Sequence, residues 1–174
     1  MQEIHKSVKI GKNTRISNTV HIEEGCEIGD NCFIGNYTVM RPYTRIGNNT
    51  KIGHSCVFEG KTRVGSDCVI QSQCHITLGA IIGRKVFFGP GVIGVNDRRM
   101  CHLRPHMKWA PEPFTVHYGC RIGSGAIILP KVVVYNNALV GAGAVVTKNV
   151  PEKKIVMGCP AVEVGSVPES EWLS

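Results

Sequence analysis

From Ile4 the chain places an apolar residue at every sixth position: Ile10, Ile16, Ile22, Ile28, Ile34, Met40, Ile46, Ile52, Phe58, Val64, Ile70, Ile76, Ile82 and Phe88. After one interruption the step resumes at Val116 and runs through Ile122, Ile128, Val134, Val140 and Val146. A second ladder runs two residues ahead of the first and is nearly all small, with Thr14, Cys26, Cys32, Thr38, Thr50, Cys56, Cys68, Cys74, Ala126 and Ala144 among its members. Two inward residues separated by one outward residue is the alternation of a β-strand. Glycine follows the large residue at Gly11, Gly29, Gly35, Gly47, Gly53, Gly65, Gly83, Gly123 and Gly141, with Asn and Asp close by. Such residues tolerate the backbone angles of a tight corner. Each hexapeptide therefore predicts a short strand and a corner. A helix is excluded, because six residues at about 100° each do not return to the same face.

Short strands joined by corners must wind, and a six-residue period is a repeat signature. The pattern resembles the left-handed parallel β-helix of the hexapeptide-repeat transferases over about residues 4 to 165. That resemblance implies an all-β fold with three hexapeptides in each triangular coil. The 21 hexapeptides then make about seven coils, a prism on the order of 34 Å tall at a strand spacing of about 4.8 Å. One domain is expected over residues 1–174, with a protruding loop at about 94–114 and a short C-terminal tail at about 162–174 capping the last coil.

A length of 174 residues suits a single core. Met1 to Lys12 shows no charged-then-apolar signal, and no apolar run approaches the length of a membrane span. Six of the eight cysteines, Cys26, Cys32, Cys56, Cys68, Cys74 and Cys120, sit at the small inward position. They read as small hydrophobes in a reducing compartment, which points to a cytoplasmic protein. Cys56 and Cys74 are eighteen apart and should stack on adjacent coils as free thiols, while Cys101 and Cys159 lie off the ladder. The formal charge of +7 favours polyanionic partners. No recognition helix, zinc module or aromatic RNA-binding strand is present, so a phosphorylated cofactor or a nucleotide-linked substrate is expected rather than nucleic acid.

The repeat fails between about Gly94 and Phe114, in GVNDRRMCHLRPHMKWAPEPF. A loop this long on a rigid scaffold is a natural place for a site. The stretch VFFGPGVIGVNDRR (Val86 to Arg99), Trp109 with its Pro-rich exit, and IGSGAIILPKVVV resemble the nucleotide-sugar N-acetyltransferases. So does the tail, GAGAVVTKNVP (Gly141 to Pro151) followed by GCPA (Gly158 to Ala161), which galactoside and maltose O-acetyltransferases share. The resemblance implies transfer of an acetyl group from acetyl-CoA to a nucleotide-linked amino sugar in surface polysaccharide biosynthesis. It implies a homotrimer with each site between two prisms, beneath the loop, and no metal. Carried over by position, Ser124, Ala142, Thr147 and Lys148 would contact CoA, the lysine suiting a phosphate. His75, Asn96 and Asp97 would be catalytic, and Gln73, Arg98, His102, His106 and Trp109 would bind the sugar nucleotide.

N-transfer needs no strong enzymic base if the amine arrives unprotonated, whereas O-transfer needs one, normally a histidine. His75 points outward one coil below the loop, beside Gln73, where the related sugar enzymes usually carry Asn. His102 and His106 ride the loop itself, so the alignment does not single out one histidine. A γ-carbonic-anhydrase-like zinc enzyme is a further alternative. His21 and His75 differ by 54 residues, which is three coils and about 14 Å on one face, too far to share a zinc whose ligand bonds are about 2.1 Å. The CoA-type tail argues against a noncatalytic scaffold. A preceding nucleotide-binding domain or a long C-terminal helical domain is not expected, since the repeat begins at residue 4 and only Val162 to Ser174 follows it.

Overall fold

The computed structural model describes residues 2–174; Met1, where the single-domain expectation begins, lies outside the described residues. Each hexapeptide forms a two-residue strand made of one outward residue and the large inward residue after it, as in His21–Ile22 and Lys51–Ile52. Strands pair in parallel with the strand eighteen residues on, Glu3 with His21 and Ile4 with Ile22, and so up the molecule, except across the loop, where Ile81 pairs with Thr115, Phe87 with Arg121 and Ile93 with Ile127, and at the hairpin, where Leu139 pairs with Ile155. The outcome is a left-handed parallel β-helix with three flat faces. The first face carries eight strands, from Glu3–Ile4 to Val145–Val146. The second carries seven, from Lys9–Ile10 to Val133–Val134. The third begins at Arg15–Ile16 and reaches nine with a C-terminal hairpin of Lys154–Met157 and Val162–Ser166.

The stack is thus slightly taller than seven coils. The ladder runs one step further than its apolar residues show, because Ile93–Gly94 is a strand of the first face with glycine in the inward slot. Gly94 is small because its neighbour is large. Phe114 occupies a slot that elsewhere holds Cys, Thr, Ala or Val, and a Cβ on Gly94 would overlap its ring. After the hairpin, the last residues run along the corner between the second and third faces. There the Tyr118 hydroxyl donates to the Ser174 carbonyl (2.7 Å), the Asn137 side chain brackets Leu173, and Lys153 Nζ lies 3.8 Å above the Trp172 ring.

The large ladder is buried from Ile22 to Val146, whereas Ile10 of the first coil is 44% exposed at the uncovered end of the prism. Corners follow one plan. The third corner residue is left-handed, at Asn13, Asn31 and Asn49 and equally at Tyr37, Ser55 and Gln73. Between the second and third faces, Asn13, Asn31, Asn49 and Asp67 hydrogen-bond side chain to side chain up the stack.

The small ladder does more than fill space. The carbonyl of the first corner residue turns inward, outside the strand-to-strand bonding. A hydroxyl or thiol fifteen residues earlier donates to it: Thr14 to Gly29 (2.7 Å), Thr50 to Gly65 (3.0 Å), Cys56 to Gln71 (3.1 Å), Cys68 to Gly83 (3.0 Å) and Cys120 to Tyr135 (2.9 Å). Cys and Thr alternate here because both are small and both donate. All six ladder cysteines are buried and unbridged; Cys101 is half-buried and Cys159 exposed.

Two outcomes follow from this packing. Gly94→Ala and Phe114→Ala each destabilise, the first by overpacking at about 1–3 kcal/mol and the second by a cavity at about 3–5 kcal/mol. The double variant costs clearly less than their sum in denaturant titrations, because each change makes room for the other. Burial also pushes the Cys120 thiol up to about 11. In the unfolded chain that thiol ionises near about pH 8.5. Between those values the unfolded state binds fewer protons than the folded one, so stability falls as pH rises from about 9 to 11. Cys120→Ala flattens that fall, as read from unfolding midpoints across the pH range.

Candidate active site

The prism opens at the corner that follows Ile93–Gly94. The chain leaves at Asn96 and returns at Glu112, whose N–H donates to the Asn96 carbonyl (2.9 Å) and whose carbonyl accepts from Lys131 N–H (3.1 Å), closing the stack again. This neck is clamped by charge: the Glu112 carboxylate lies 3.0 Å from Lys131 Nζ and 4.0 Å from Arg98. Inside the loop the Trp109 indole N–H donates to Asp97 Oδ1 at 2.5 Å.

Beside the neck lies a depression of about 430 Å³ whose polar lining is Glu59, His75, Thr77, Asn96 and Asp97. His75 projects from strand His75–Ile76, which pairs with the strand feeding the loop. Its Nε2 lies 3.3 Å from Glu59 Oε1. The other Glu59 oxygen accepts from Leu78 N–H at 3.4 Å. The Thr77 hydroxyl is buried and has no partner, and Asn96 is buried beneath the neck. His75, Asn96 and Asp97 are therefore gathered in one place.

Glu59 and Thr77 belong to the same place and escape the sequence reading. A signal is present all the same. On the second and third faces the residue after the large ladder position is mostly glycine, because a Cβ would strike the next coil, 2.5 Å from the Gly53 carbonyl in the case of Gly35. On the first face that column reads His5, Glu23, Arg41, Glu59, Thr77, Val95, Leu129 and Thr147, with no glycine at all. This edge has room for side chains, and it is the edge from which the loop departs.

The other expected residues lie elsewhere. Gln73 is exposed on the opposite edge of the first face. His102 and His106 are exposed on the loop and do not line the depression. Arg98 instead lines a neighbouring groove of about 360 Å³ with Lys131, Thr147 and Lys148, which makes that groove cationic. Ser124 and Ala142 are exposed on the far edge of the same face. One prism thus presents the four expected CoA residues on two separate edges.

The far edge has its own character. It repeats Gly89-Pro90-Gly91, Gly123-Ser124-Gly125 and Gly141-Ala142-Gly143 on successive coils. A Cβ at Gly91, Gly125 or Gly143 would meet nothing within 4 Å. Lower in the same column Tyr37, Ser55 and Gln73 adopt φ of 61°, 56° and 64°, so the left-handed backbone does not itself demand glycine. The three glycines strip this edge to a bare backbone shelf.

The family model described as bacterial transferase hexapeptide (six repeats) matches residues 7–42 and 43–78, and that of the hexapeptide repeat of succinyl-transferase matches residues 118–148. The chain belongs to the hexapeptide-repeat transferase family. This hexapeptide-repeat protein is 33% identical over 81 residues to galactoside O-acetyltransferase of Escherichia coli (strain K12), a match covering 45% of this chain and 40% of that one. It spans less than half the length of each curated relative it matches. A solved structure of a mutant of AntD, an N-acyltransferase from Bacillus cereus, in complex with dTDP-4-amino-4,6-dideoxyglucose and coenzyme A, superposes with a TM-score of 0.60 at 19% identity, covering 93% of this chain and 84% of that one. The hexapeptide-repeat-containing acetyltransferase VCA0836 of Vibrio cholerae O1 biovar eltor, complexed with acetyl coenzyme A, superposes at 0.58 with 21% identity over 71% of each chain. These two likenesses are of fold. Among the described residues no group of three or more His, Cys, Asp or Glu is arranged to hold a metal ion, and no helix is long and apolar enough to cross a membrane.

Proposed function

We propose that this protein is an acyltransferase that moves an acetyl group from acetyl-CoA to the amine of a nucleotide-linked amino sugar, in surface polysaccharide biosynthesis. The observation that carries the reading is the gathering of His75, Asn96 and Asp97 in one depression beneath the loop neck. The similar AntD and VCA0836 structures, which hold a dTDP-amino sugar with coenzyme A and acetyl coenzyme A, support the same ligand classes.

The two edges of the first face suit CoA in different ways. A pantetheine arm is long, thin and recognised through amides. The shelf of Gly91, Gly125 and Gly143, flanked by Ser124 and Ala142, offers bare backbone along such an arm. The groove of Arg98, Lys131 and Lys148 offers charge to a phosphate. These surfaces meet when the edge of one prism lies against the opposite edge of a second. The outward residues of the first face favour such contact, since Val39, Val57, Ile93, Ile127 and Val145 are apolar, whereas the second face carries the ion ladder Lys9–Glu27–Arg45. A closed trimer places each site between two prisms.

In the reaction the amine nitrogen attacks the thioester carbonyl carbon, the C–N bond forms, and the C–S bond breaks to release CoA. Asp97, one oxygen held by Trp109, keeps its other oxygen for the amine, and the His75 imidazole takes up the proton the nitrogen loses. O-transfer is the second reading, favoured by the galactoside O-acetyltransferase likeness.

Thermal-shift measurements with acetyl-CoA and with UDP-, dTDP- and GDP-linked amino sugars test the reading directly, because ligands of the folded state raise the melting temperature. In kinetics, Lys148→Ala raises the acetyl-CoA KM about tenfold with little change in kcat, the loss of one charge-assisted contact. Asp97→Asn and His75→Ala lower kcat by about a hundredfold or more. Activity on neutral glycosides that is lost with His102 or His106 overturns N-transfer. Light scattering gives a mass of about 57 kDa, three times the 19.0 kDa chain; a monomer at micromolar concentration removes the interfacial site.

A further inference from the structure

Glu59 has no part in the chemistry described so far, yet it is built into the depression. One carboxylate oxygen accepts the Leu78 N–H and the other faces His75 at 3.3 Å, so the group is held from two sides. With Asp97 it gives the depression two carboxylates, and no Lys or Arg lines it. That is the reverse of the surroundings. The chain carries a net charge of +7, and the loop above bears Arg98, Arg99, Arg104 and Lys108. The cations line the neighbouring groove and the loop, and the anions line the floor.

The geometry points to Glu59 as the positioning residue that makes this a site for a cationic acceptor: it balances the incoming ammonium, then the imidazolium of His75, and so selects an amine over a hydroxyl. The assignment rests on the acyl-transfer reading above and deepens it by naming the charge state of the acceptor. The proton balance is closed. The acceptor enters as R–NH₃⁺ and gives one proton to the His75 imidazole. The freed amine attacks the thioester carbon, the C–S bond breaks, and the CoA thiolate leaves with the second proton as the thiol. The amide keeps one hydrogen, and His75 returns its proton to water. Throughout the transfer a single positive charge passes between two groups beside Glu59. A neutral hydroxyl can donate one hydrogen bond to a carboxylate but brings no charge to balance the two it would face, so it gains less from the site than an ammonium does.

Two measurements test this on the full chain. Binding of a methyl glycoside of an amino sugar and of its neutral counterpart is followed without CoA by NMR at the His75 imidazole, at a pH that keeps the sugar amine protonated. The amino glycoside perturbs His75 in the wild type and in Glu59→Asp, binds about tenfold or more weakly in Glu59→Gln, and the neutral glycoside leaves His75 unchanged. In turnover, Glu59→Gln raises the acceptor KM without changing the acetyl-CoA KM, and narrows amine-over-hydroxyl discrimination about tenfold or more. Glu59→Asp keeps that discrimination. Equal amine binding by the wild type and folded Glu59→Gln, or no amine-induced change at wild-type His75, overturns the role of Glu59 and leaves acyl transfer standing. Charge-dependent amine binding with no transfer from acetyl-CoA to any sugar nucleotide overturns the acyl-transfer reading and leaves the amine site standing.

Discussion

The structure depends on one hydrogen-bonding constraint: each residue of the stack lies beneath its counterpart in the next coil, eighteen positions on wherever no loop or hairpin intervenes. Backbone bonds along the strands enforce it, from Glu3 N–H to the Val20 carbonyl and Gly11 N–H to the Ile28 carbonyl upward. Parallel strands two residues long are too short to persist alone. Stacking makes them cooperative, because each coil supplies the partner for the next. The rule then governs the side chains. The inward space is one large and one small residue wide on each face. Where a large residue takes the small slot, as Phe114 does, its neighbour must be glycine, as Gly94 is. The same rule lets the chain bulge only at a corner, where it can leave and return without shifting the register. Asn96 and Glu112 mark that departure and return, joined by a single backbone hydrogen bond.

Much of this is legible in the residues because a six-residue period survives averaging over many coils. The strands, the inward ladders and the free thiols all follow from it. The strand at Ile93–Gly94 is obscured, since a ladder read by apolar residues breaks at glycine even though the backbone continues. Glu59 and Thr77 are hidden for another reason. Their significance lies eighteen residues apart, in a column that lacks glycine on one face alone. Family resemblance names His75, Asn96 and Asp97, and the fold gathers them. The same resemblance names Ser124 and Ala142 together with Thr147 and Lys148, which one prism holds on opposite edges of a face. Residue spacing gives position along the stack, but it does not tell which edge of which copy faces a shared ligand.

Charge separation ties the site to its surroundings. A uniformly basic surface would attract a sugar nucleotide and CoA without orienting either. Here Lys131 does two things at once. It pairs with Glu112 at the neck, and it lines the groove with Arg98 and Lys148. Glu112 thus holds the loop at the border between cationic groove and acidic floor. A ligand with phosphates at one end and an amine at the other would be aligned by that border before any close contact formed.

The shelf on the far edge shows how the stack bares an open backbone surface without weakening itself. In the lower coils the inward corner carbonyls rely on Thr or Cys fifteen residues earlier, so those corners depend on the coil beneath. At the shelf corners of the upper coils the small ladder carries alanine, at Ala126 and Ala144, and the Gly123 and Gly141 carbonyls have no such side-chain donor. There the corner closes on itself: Ala126 N–H donates to the Gly123 carbonyl (3.2 Å) and Ala144 N–H to the Gly141 carbonyl (3.3 Å). A corner that satisfies its own carbonyl needs no side chain for support. Gly125 and Gly143 then sit in self-contained turns, and the edge is stripped of side chains without leaving those buried acceptors unpaired, a fault that would cost about 1–3 kcal/mol at each. The change from Thr and Cys to Ala along one ladder and the appearance of bare glycine along one edge are therefore parts of a single arrangement, which places an open backbone surface on the coils level with the loop.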